Sequence, residues 1–338
     1  MVNFQCLRLF FGSVKMEYLE LMTDKYYPVY DVSEMDLSNY EAMGTKSKFW
    51  FVDENGDKKL FKATVASDSS GNDIQRPGED WAEKIVCEIA NYLSIPCAQY
   101  ELALNDDQYG VISDNFVKSN QSMVHGNELI AHIMKAAGEK PVEKRNKGHK
   151  VSRVVAALHY IIQNKPLGWD SLPEIKSALD FFCGYVMLDA LVSNQDRHDE
   201  NWGMIISDES AHLAPSYDHA ASLGRNESDE IRKIRMETKD LGQRIEKYVT
   251  KSRSQLLNAK GKRVKNLELF EIFRSINKPA SDAWLERLKK LTPENIKEII
   301  EKIPNNRMSR TSKEFTLKLI CANRSNLLII RENQSLYK

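Results

Sequence analysis

One short stretch of the sequence concentrates side chains that could do chemistry. Residues 194–203 read Asn-Gln-Asp-Arg-His-Asp-Glu-Asn-Trp-Gly and lie between a long apolar run and a short β-like run. Placing so many polar groups against a core is costly unless each one is paired, which indicates a chemical role. Asp196 offers a carboxylate that can accept a proton, and Asn201, five residues later, offers an amide oxygen that can bind a hard cation.

A second carboxylate, Asp218, follows two further β-like runs at 202–206 and 211–214. Protein kinases use this order: an Asp that takes the hydroxyl proton, a downstream Asn that binds one metal ion, and a later Asp that binds another. The two runs predict a hairpin, which would bring Asn201 and Asp218 close together in space. The sequence therefore predicts a phosphotransferase whose oxygen-bearing side chains suit Mg²⁺ and substrate phosphates.

A zinc-dependent hydrolase is the alternative chemistry for this region. His198, His212 and His219 lie among the acidic residues, and imidazole is a common zinc ligand. Their spacing contains no His-x-x-x-His pair, so the sequence favours the phosphotransferase.

Nucleotide phosphates need a cationic partner, and Lys62 is the candidate. It lies between Phe61 and Ala63 in a β-like run, so its side chain points opposite to theirs. A solvated strand lysine is the alternative interpretation. On the predicted helix that follows, Glu83 is either the ion-pair partner of Lys62 or half of a capping box with Asp80.

Two hairpins are predicted in the first part of the chain. Runs at 49–52 and 60–64 flank an Asn-Gly turn, and runs at 97–104 and 108–112 flank a second turn. Residues 44–48 precede the first hairpin, where a loop could cover a phosphate, although a single glycine is a weak signal. The residues of this predicted phosphate loop are Gly44, Thr45, Lys46 and Ser47. The order of elements predicts a hinge at 113–117.

The remainder of the sequence predicts mainly helices. A long helix from Pro173 to Ser193 would be buried on most sides, and Asp189 within it would brace the polar loop through hydrogen bonds. Residues 220–239 are polar and predict a mobile segment that faces the substrate. Residues 251–265 are basic and predict an exposed connection. Other helical patterns cover 127 onward, 154–163, 267–276, 283–291, 293–303 and 312–330.

Composition excludes some classes of protein. The 338 residues are 42% hydrophobic, enough for a sizeable core, and Lys+Arg equal Asp+Glu at 48 each, so direct nucleic-acid binding is not expected. The five cysteines are scattered and predict free thiols in a reducing compartment. The longest apolar run is too short to span a bilayer, and the N-terminus lacks the features of a secretory signal. We expect a bacterial cytoplasmic protein without a membrane partner, with secretion or delivery to a host left open.

Several motifs, taken together, resemble those of the HipA-like serine/threonine kinases, and their order resembles the compact CtkA-like type of that family. The most specific of them is Asp-Arg-His-x-x-Asn-Trp-Gly at 196–203. The others are weak alone but occur in the order of the family. The matching motifs are GTKSK at 44–48, LFK at 60–62, WAEK at 81–84, LVSNQDRH at 191–198, NWG at 201–203 and APSYD at 214–218.

The resemblance implies an α+β, two-lobed protein-kinase-like fold. Residues 1–117 would form a β-rich N-terminal lobe, and residues 118–338 a mainly helical C-terminal lobe. It also implies transfer of the γ-phosphoryl group of ATP, with Mg²⁺, to a Ser or Thr of a protein substrate. Carried over by position, the implied roles are these: Asp196 is the catalytic base, Asn201 and Asp218 bind metal, Lys62 binds phosphate, and Glu83 pairs with Lys62.

Further expectations follow from the same resemblance. Arg197 and His198 are expected to brace the loop or contact phosphate. Some relatives phosphorylate a serine of their own phosphate loop, so Ser47 is the candidate autophosphorylation site and Thr45 a weaker one. HipA toxins carry extra N-terminal sequence, which this chain is expected to lack, and pair with a helix-turn-helix antitoxin; an antitoxin or regulatory protein is a candidate partner. A small-molecule kinase and a pseudokinase binding module remain the alternatives.

Overall fold

In the computed structural model, an N-terminal β-sheet is followed by a mainly helical region, which together form an α+β fold. The structure describes residues 25–35, 46–67, 70, 72–140, 147–170 and 172–332. The strands are β1 (Val29–Asp31), β2 (Lys46–Val52), β3 (Lys58–Ser67), β4 (Asp73–Gln75), β5 (Tyr100–Asn105), β6 (Gln108–Asp114), β7 (Ser122–His125), β8 (Gly203–Ser207), β9 (Ser210–Leu213), β10 (Arg253–Leu257) and β11 (Arg263–Lys265). The helices are α1 (Glu79–Leu93), α2 (Gly126–Ala136), α3 (Val151–Ala156, continued by a π-helical turn over Ala157–Ile161), α4 (Ala178–Val192), α5 (Asp229–Glu237), α6 (Ile245–Val249), α7 (Asn266–Ile276), α8 (Lys278–Lys290), α9 (Pro293–Glu301) and α10 (Arg310–Glu332).

The first sheet has the strand order β1-β5-β6-β3-β2, with β4 paired to β3. Both predicted hairpins, β2–β3 and β5–β6, are confirmed. Because side chains alternate along a strand, Phe61 and Ile112 belong to the core cluster on one face of the sheet. Lys62 therefore faces the other side with Leu102 and Val111, which belong to the same core cluster as α1.

Helix α1 begins after Gly78, whose φ of +85° is in the left-handed region. A Cβ at Gly78 would lie 2.6 Å from the Trp81 ring, so glycine is required there on two grounds. The predicted cap at Asp80 is wrong. The Asp80 carboxylate instead accepts a hydrogen bond from Arg307 at 3.0 Å, on the chain before α10. The capping-box interpretation of Glu83 is wrong for the same reason.

Helix α4 is almost fully buried, as predicted, but it begins at Ala178 rather than at Pro173. The Ser177 hydroxyl accepts from the Asp180 N–H at 3.3 Å, and the Asp180 carboxylate accepts from the Ser177 N–H at 2.8 Å. This capping box fixes the start of the helix. Pro173 lies within a short irregular segment in which Leu172 bridges Ile175.

A second sheet, β7-β8-β9, lies in the helical part of the chain and contains the predicted hairpin at 202–214. The chain leaves the first sheet at the end of β6 and enters the second at β7; the predicted domain boundary at 117 stays a prediction. Residues 220–239 contain helix α5, whose Arg232 is buried and donates to Ser312 at 2.6 Å. That this segment is mobile and faces the substrate stays a prediction. Residues 251–265, predicted as an exposed basic connection, form the β10–β11 hairpin, and their cationic side chains are exposed.

The predicted C-terminal helices are confirmed as α7 to α10. Cys87, Cys97, Cys183 and Cys321 are free thiols, as predicted, while Cys6 lies outside the described residues. Across the described ranges, no helix is both long enough and apolar enough to cross a bilayer.

Candidate active site

The loop that carries Asp196 follows the end of α4 and is held in shape from both sides. The Asn194 side chain accepts from the Asp196 N–H at 3.1 Å and donates to Asp189 Oδ1 on α4 at 2.8 Å. The Asn201 amide nitrogen donates to the Asp196 carbonyl at 2.7 Å. These two bonds hold the backbone of Asp196 on both sides of its side chain.

Arg197 lies at the centre of this loop with its guanidinium buried. It forms a two-pronged ion pair with Asp189, in which Nη2 donates to Oδ1 at 2.8 Å and Nε donates to Oδ2. Nη1 donates to the Asn201 carbonyl at 3.2 Å, and Nη2 also donates to Ser216 Oγ at 2.8 Å. Arg197 therefore ties α4 and the Asp196 loop to the segment that precedes Asp218, and Asp189 is the carboxylate that holds it in place.

Lys62, Glu83 and Asp218 come together from three separate parts of the chain. Lys62 Nζ lies 3.5 Å from Glu83 Oε1 and 3.1 Å from Asp218 Oδ1. The Asp218 N–H donates to the Tyr100 hydroxyl at 3.2 Å, and Asp218 has a φ of +59°. Burial alone would lower the pKa of Lys62, but Asp218, Tyr100 and Glu83 more than offset this and raise its pKa well above the usual value. A permanent cation thus lies beside Asp218.

His219 connects this cluster to the Asp196 loop. Its backbone N–H donates to Glu83 Oε2 at 2.8 Å, and its Nε2 lies 2.7 Å from Ser216 Oγ and 3.3 Å from Arg197 Nη2. Burial, reinforced by the Arg197 charge, lowers the pKa of His219 well below its usual value, so the imidazole is neutral and Nε2 can accept. One continuous hydrogen-bonded network thus runs from α1 to the loop that carries Asp196.

The donor set around this network fits a hard cation. The Asp196 carbonyl can only accept, so the Asn201 amide nitrogen must face it and the amide oxygen must point elsewhere. Within the described part of the chain, no hydrogen bond uses that Asn201 Oδ1. One amide oxygen and the carboxylates of Asp196 and Asp218 are the kind of incomplete oxygen set that Mg²⁺ completes with water and phosphate.

The zinc alternative is contradicted. Among the described residues, no three His, Cys, Asp or Glu side chains lie close enough together to hold a metal ion. His212 Nδ1 lies 3.0 Å from the Lys165 carbonyl, and His198 Nδ1 accepts from the Glu200 N–H at 3.1 Å. His219 is committed to the buried network, so the three histidines do not converge.

Solved structures share this fold, although no protein-family model matches the sequence and no curated protein is significantly similar to it. The Helicobacter pylori proinflammatory kinase CtkA aligns with a TM-score of 0.67 and 18% identity, over 90% of this chain and 96% of that one. The chain has a CtkA-like kinase fold. The resemblance predicted from the motifs is confirmed at the level of the fold.

Two further kinase-fold structures align over most of the chain. A chain of the Shewanella oneidensis MR-1 HipA, HipB and operator DNA complex aligns with a TM-score of 0.47 and 12% identity, over 94% of this chain and 70% of that one. The Golgi casein kinase with Mn/ADP bound aligns with a TM-score of 0.42 and 12% identity, over 94% of this chain and 77% of that one.

In this kinase fold, the predicted phosphate loop is described only in part. Gly44 and Thr45 lie outside the described residues, while Lys46 and Ser47 are the first two residues of β2. Contact of this loop with phosphate and modification of Ser47 therefore stay predictions.

The kinase fold also reveals polar residues that the sequence did not identify as part of the site. The Tyr100 hydroxyl accepts from the Asp218 N–H, and the Ser216 hydroxyl accepts from Arg197. Arg225, on the chain after Asp218, pairs with Glu79 of α1 at 2.7 Å. Gln255 Nε2 donates to the Gln195 carbonyl at 2.9 Å and lies 3.4 Å from Asp196 Oδ1. Their partners lie 19 to 146 residues away along the chain, so no local pattern points to them.

The buried histidines of this kinase fold predict a loss of stability in acid. Burial lowers the pKa of His149 to about 3, and His219 is likewise buried in its neutral form. In the unfolded chain, histidine has a pKa of about 6.5, so below that pH the unfolded state binds protons that the folded state excludes. We therefore expect the free energy of unfolding to fall as the pH is lowered from about 6.5, by up to about 1.4 kcal/mol per pH unit for each histidine.

Urea unfolding at several pH values between 7 and 4 would measure this slope. His149→Gln keeps an acceptor for the Trp202 indole N–H, which donates to His149 Nε2 at 3.0 Å, but it removes the titration. In the variant, the slope of the free energy of unfolding against pH should be smaller by up to about 1.4 kcal/mol per pH unit, the contribution of one proton. An unchanged slope would contradict the assignment.

Proposed function

We propose that this chain is an ATP-dependent, Mg²⁺-dependent phosphotransferase whose acceptor is a serine or threonine hydroxyl of a protein. The observation that carries this proposal is the single hydrogen-bonded network that links Lys62, Glu83 and Asp218 with Asp196 and Asn201. A kinase-like fold hosts many functions, so fold alone would not support the activity. A binding module would not require a cation, a candidate base and metal-type oxygens in one network.

The proposed roles follow from the chemistry of each group. Asp196 orients the acceptor hydroxyl and takes its proton as the oxygen attacks the γ-phosphorus. The new O–P bond forms as the bond to the β–γ bridging oxygen breaks, and ADP leaves with that electron pair. Lys62, held by Glu83, neutralises phosphate charge. Asn201 and Asp218 would hold Mg²⁺, which when bound offsets charge on the phosphate oxygens.

A labelling experiment distinguishes the three functional candidates. The protein is incubated with ATP labelled at the γ-phosphate, Mg²⁺ and a bacterial protein extract, and the products are separated by size. Label on protein serine or threonine supports the proposal. Label only on small molecules would favour a small-molecule kinase, and nucleotide binding without transfer would favour a pseudokinase.

We expect ATP with Mg²⁺ to stabilise the protein, and Asp218→Asn to remove most of the part that depends on Mg²⁺. A ligand present at 100 times its Kd stabilises the native state by about 2.7 kcal/mol. The amide of Asn is a weaker cation ligand than a carboxylate because it carries no charge. Thermal unfolding with ATP, with Mg²⁺ and with both measures the effect, and Asp208→Asn in the β8–β9 turn is the matched control. Equal stabilisation of Asp218→Asn and the parent would contradict the metal assignment.

A further inference from the structure

A strongly basic hairpin lies next to the Asp196 loop. Residues 251–265 contain six cationic and no acidic side chains, in a chain whose opposite charges balance at 48 each. Strands β10 and β11 form this hairpin, and all six cations are exposed while Leu256 and Val264 face the core. The cations are Lys251, Arg253, Lys260, Lys262, Arg263 and Lys265. The chain therefore has a local positive surface although its opposite charges balance overall.

The hairpin is fixed to the loop that carries Asp196. Gln255 Nε2 and Arg263 Nη2 both donate to the Gln195 carbonyl, at 2.9 and 3.2 Å. Gln255 Nε2 also lies 3.4 Å from Asp196 Oδ1. Just beyond β11, Asn266 donates to the Asn194 carbonyl at 2.6 Å. The basic surface is thus a fixed wall beside the proposed base.

Among the described residues, three of the six cations are hydrogen-bonded within the molecule and three are not. Lys251 Nζ donates to the Gly242 carbonyl at 3.3 Å. Arg253 and Arg263 donate to backbone carbonyls of their own hairpin at 2.8 to 2.9 Å, so they hold its shape. In the described parts of the chain, no hydrogen bond or ion pair engages the ammonium groups of Lys260, Lys262 and Lys265. These three lysines can therefore meet an incoming anion without first breaking an internal contact.

We propose that this hairpin binds acidic residues that flank the acceptor hydroxyl, so that the substrate class is an acidic peptide segment. The inference rests on the proposed function, which places the acceptor at Asp196. An extended peptide advances about 3.3 Å per residue, so side chains within about five positions of the acceptor reach roughly 17 Å along the surface. Five residues separate Gln255, beside Asp196, from Lys260 at the hairpin turn.

Single-stranded nucleic acid is the other polyanion that such a surface could attract. Sequence-tolerant binding of single strands combines cations with aromatic side chains on which bases stack. Residues 251–265 contain no Phe, Tyr or Trp. The hairpin contacts the loop that carries the proposed base, Asp196. This position favours an anionic ligand that also carries the acceptor hydroxyl, as an acidic peptide does.

The test compares two peptide pools that each contain one central serine. Flanking positions are rich in Asp and Glu in one pool and in Asn and Gln in the other. We expect the parent to phosphorylate the acidic pool with a kcat/KM at least about tenfold higher, and raised salt to reduce the difference. Replacing Lys260, Lys262 and Lys265 together with Gln should remove this preference through KM, with the neutral pool unaffected. The control replaces three exposed lysines elsewhere, Lys118, Lys135 and Lys297, with Gln.

Binding measured without catalysis separates this inference from the proposed function. Fluorescence anisotropy with the labelled acidic pool, the neutral pool and a single-stranded RNA uses the parent, the hairpin variant and the control variant. One outcome is that no peptide is phosphorylated, while the parent and the control variant bind the acidic pool and the hairpin variant does not. The proposed function would then fail, and the inferred binding of acidic peptides by the hairpin would be supported. Equal use or binding of the two pools by the parent would overturn the inference. Tighter binding of RNA than of the acidic pool, lost in the hairpin variant, would also overturn it.

Discussion

Asp196→Asn is expected to lower the rate of phosphoryl transfer about 10³-fold, which removes detectable label from substrates. The amide has almost the same shape as the carboxylate but cannot accept the acceptor's proton. Asn194 and Asn201 hold the backbone N–H and carbonyl of this residue, and Gln255 Nε2 can donate to an amide oxygen as it does to the carboxylate, so the loop should persist in the variant. Single-turnover assays with ATP labelled at the γ-phosphate measure the loss.

The matched control for this substitution is Asp208→Asn. Asp208 lies in the β8–β9 turn with an exposed side chain and a φ of +47°, a conformation that Asn adopts as readily as Asp. It should keep the parent's rate, and both variants should unfold at the parent's urea midpoint within error. Transfer by Asp196→Asn at the parent's rate would refute the assignment of the base.

Arg197→Met is expected to destabilise the protein by about 3–5 kcal/mol, the usual cost of removing one partner of a buried ion pair. The substitution leaves the Asp189 carboxylate buried without its cation, since both side chains are no more than 3% exposed. It also removes donors to the Asn201 carbonyl and to Ser216. Urea unfolding measures the stability, and transfer assays on the folded fraction should show a parallel loss of activity because both metal-ligand candidates lose support.

A double-mutant cycle with Asp189→Asn sharpens this prediction. The double variant contains no buried unpaired charge, so it should be more stable than the sum of the two single losses indicates. Arg274→Met is the control for a lost Arg–Asp pair, because Arg274 and its partner Asp282 are partly exposed and should cost about 1 kcal/mol or less. Strict additivity of the Arg197 and Asp189 effects would contradict a buried, directly coupled pair.

Periodicity predicted much of this fold because the physics behind it is local. The Asn-Gly turn predicted the first hairpin, and apolar residues at helical spacing predicted α1 and α7 to α10. The start of α4 was predicted five residues too early because Pro173 is compatible with a first helical turn. The Ser177–Asp180 capping box, which has the same local range, was the stronger signal.

Candidate site residues could be named from the sequence, but the hydrogen-bonded network that joins them could not. Asp196, Asn201 and Asp218 stand in an order that the chemistry of phosphoryl transfer explains. Nothing in the sequence near Lys62 distinguishes a solvated lysine from one that lies 3.1 Å from Asp218, because that contact spans 156 residues. Asp80 shows the same limit, since its true partner Arg307 is 227 residues away. When a side chain could pair either with a near neighbour or with a residue far along the chain, tertiary packing decides between them, and a single sequence does not show that packing.

The two oxygens of Glu83 face different halves of the molecule, one toward Lys62 and the other toward the backbone of His219. A rotation of α1 that withdraws this carboxylate would therefore break the Glu83 contact of Lys62 and the Glu83 contact of the His219 backbone together, and leave Lys62 with Asp218. Half-assembled states, with one contact kept and the other lost, are correspondingly disfavoured. A ligand that favours a displaced α1 would therefore act on both contacts together and shift the population away from the arrangement described.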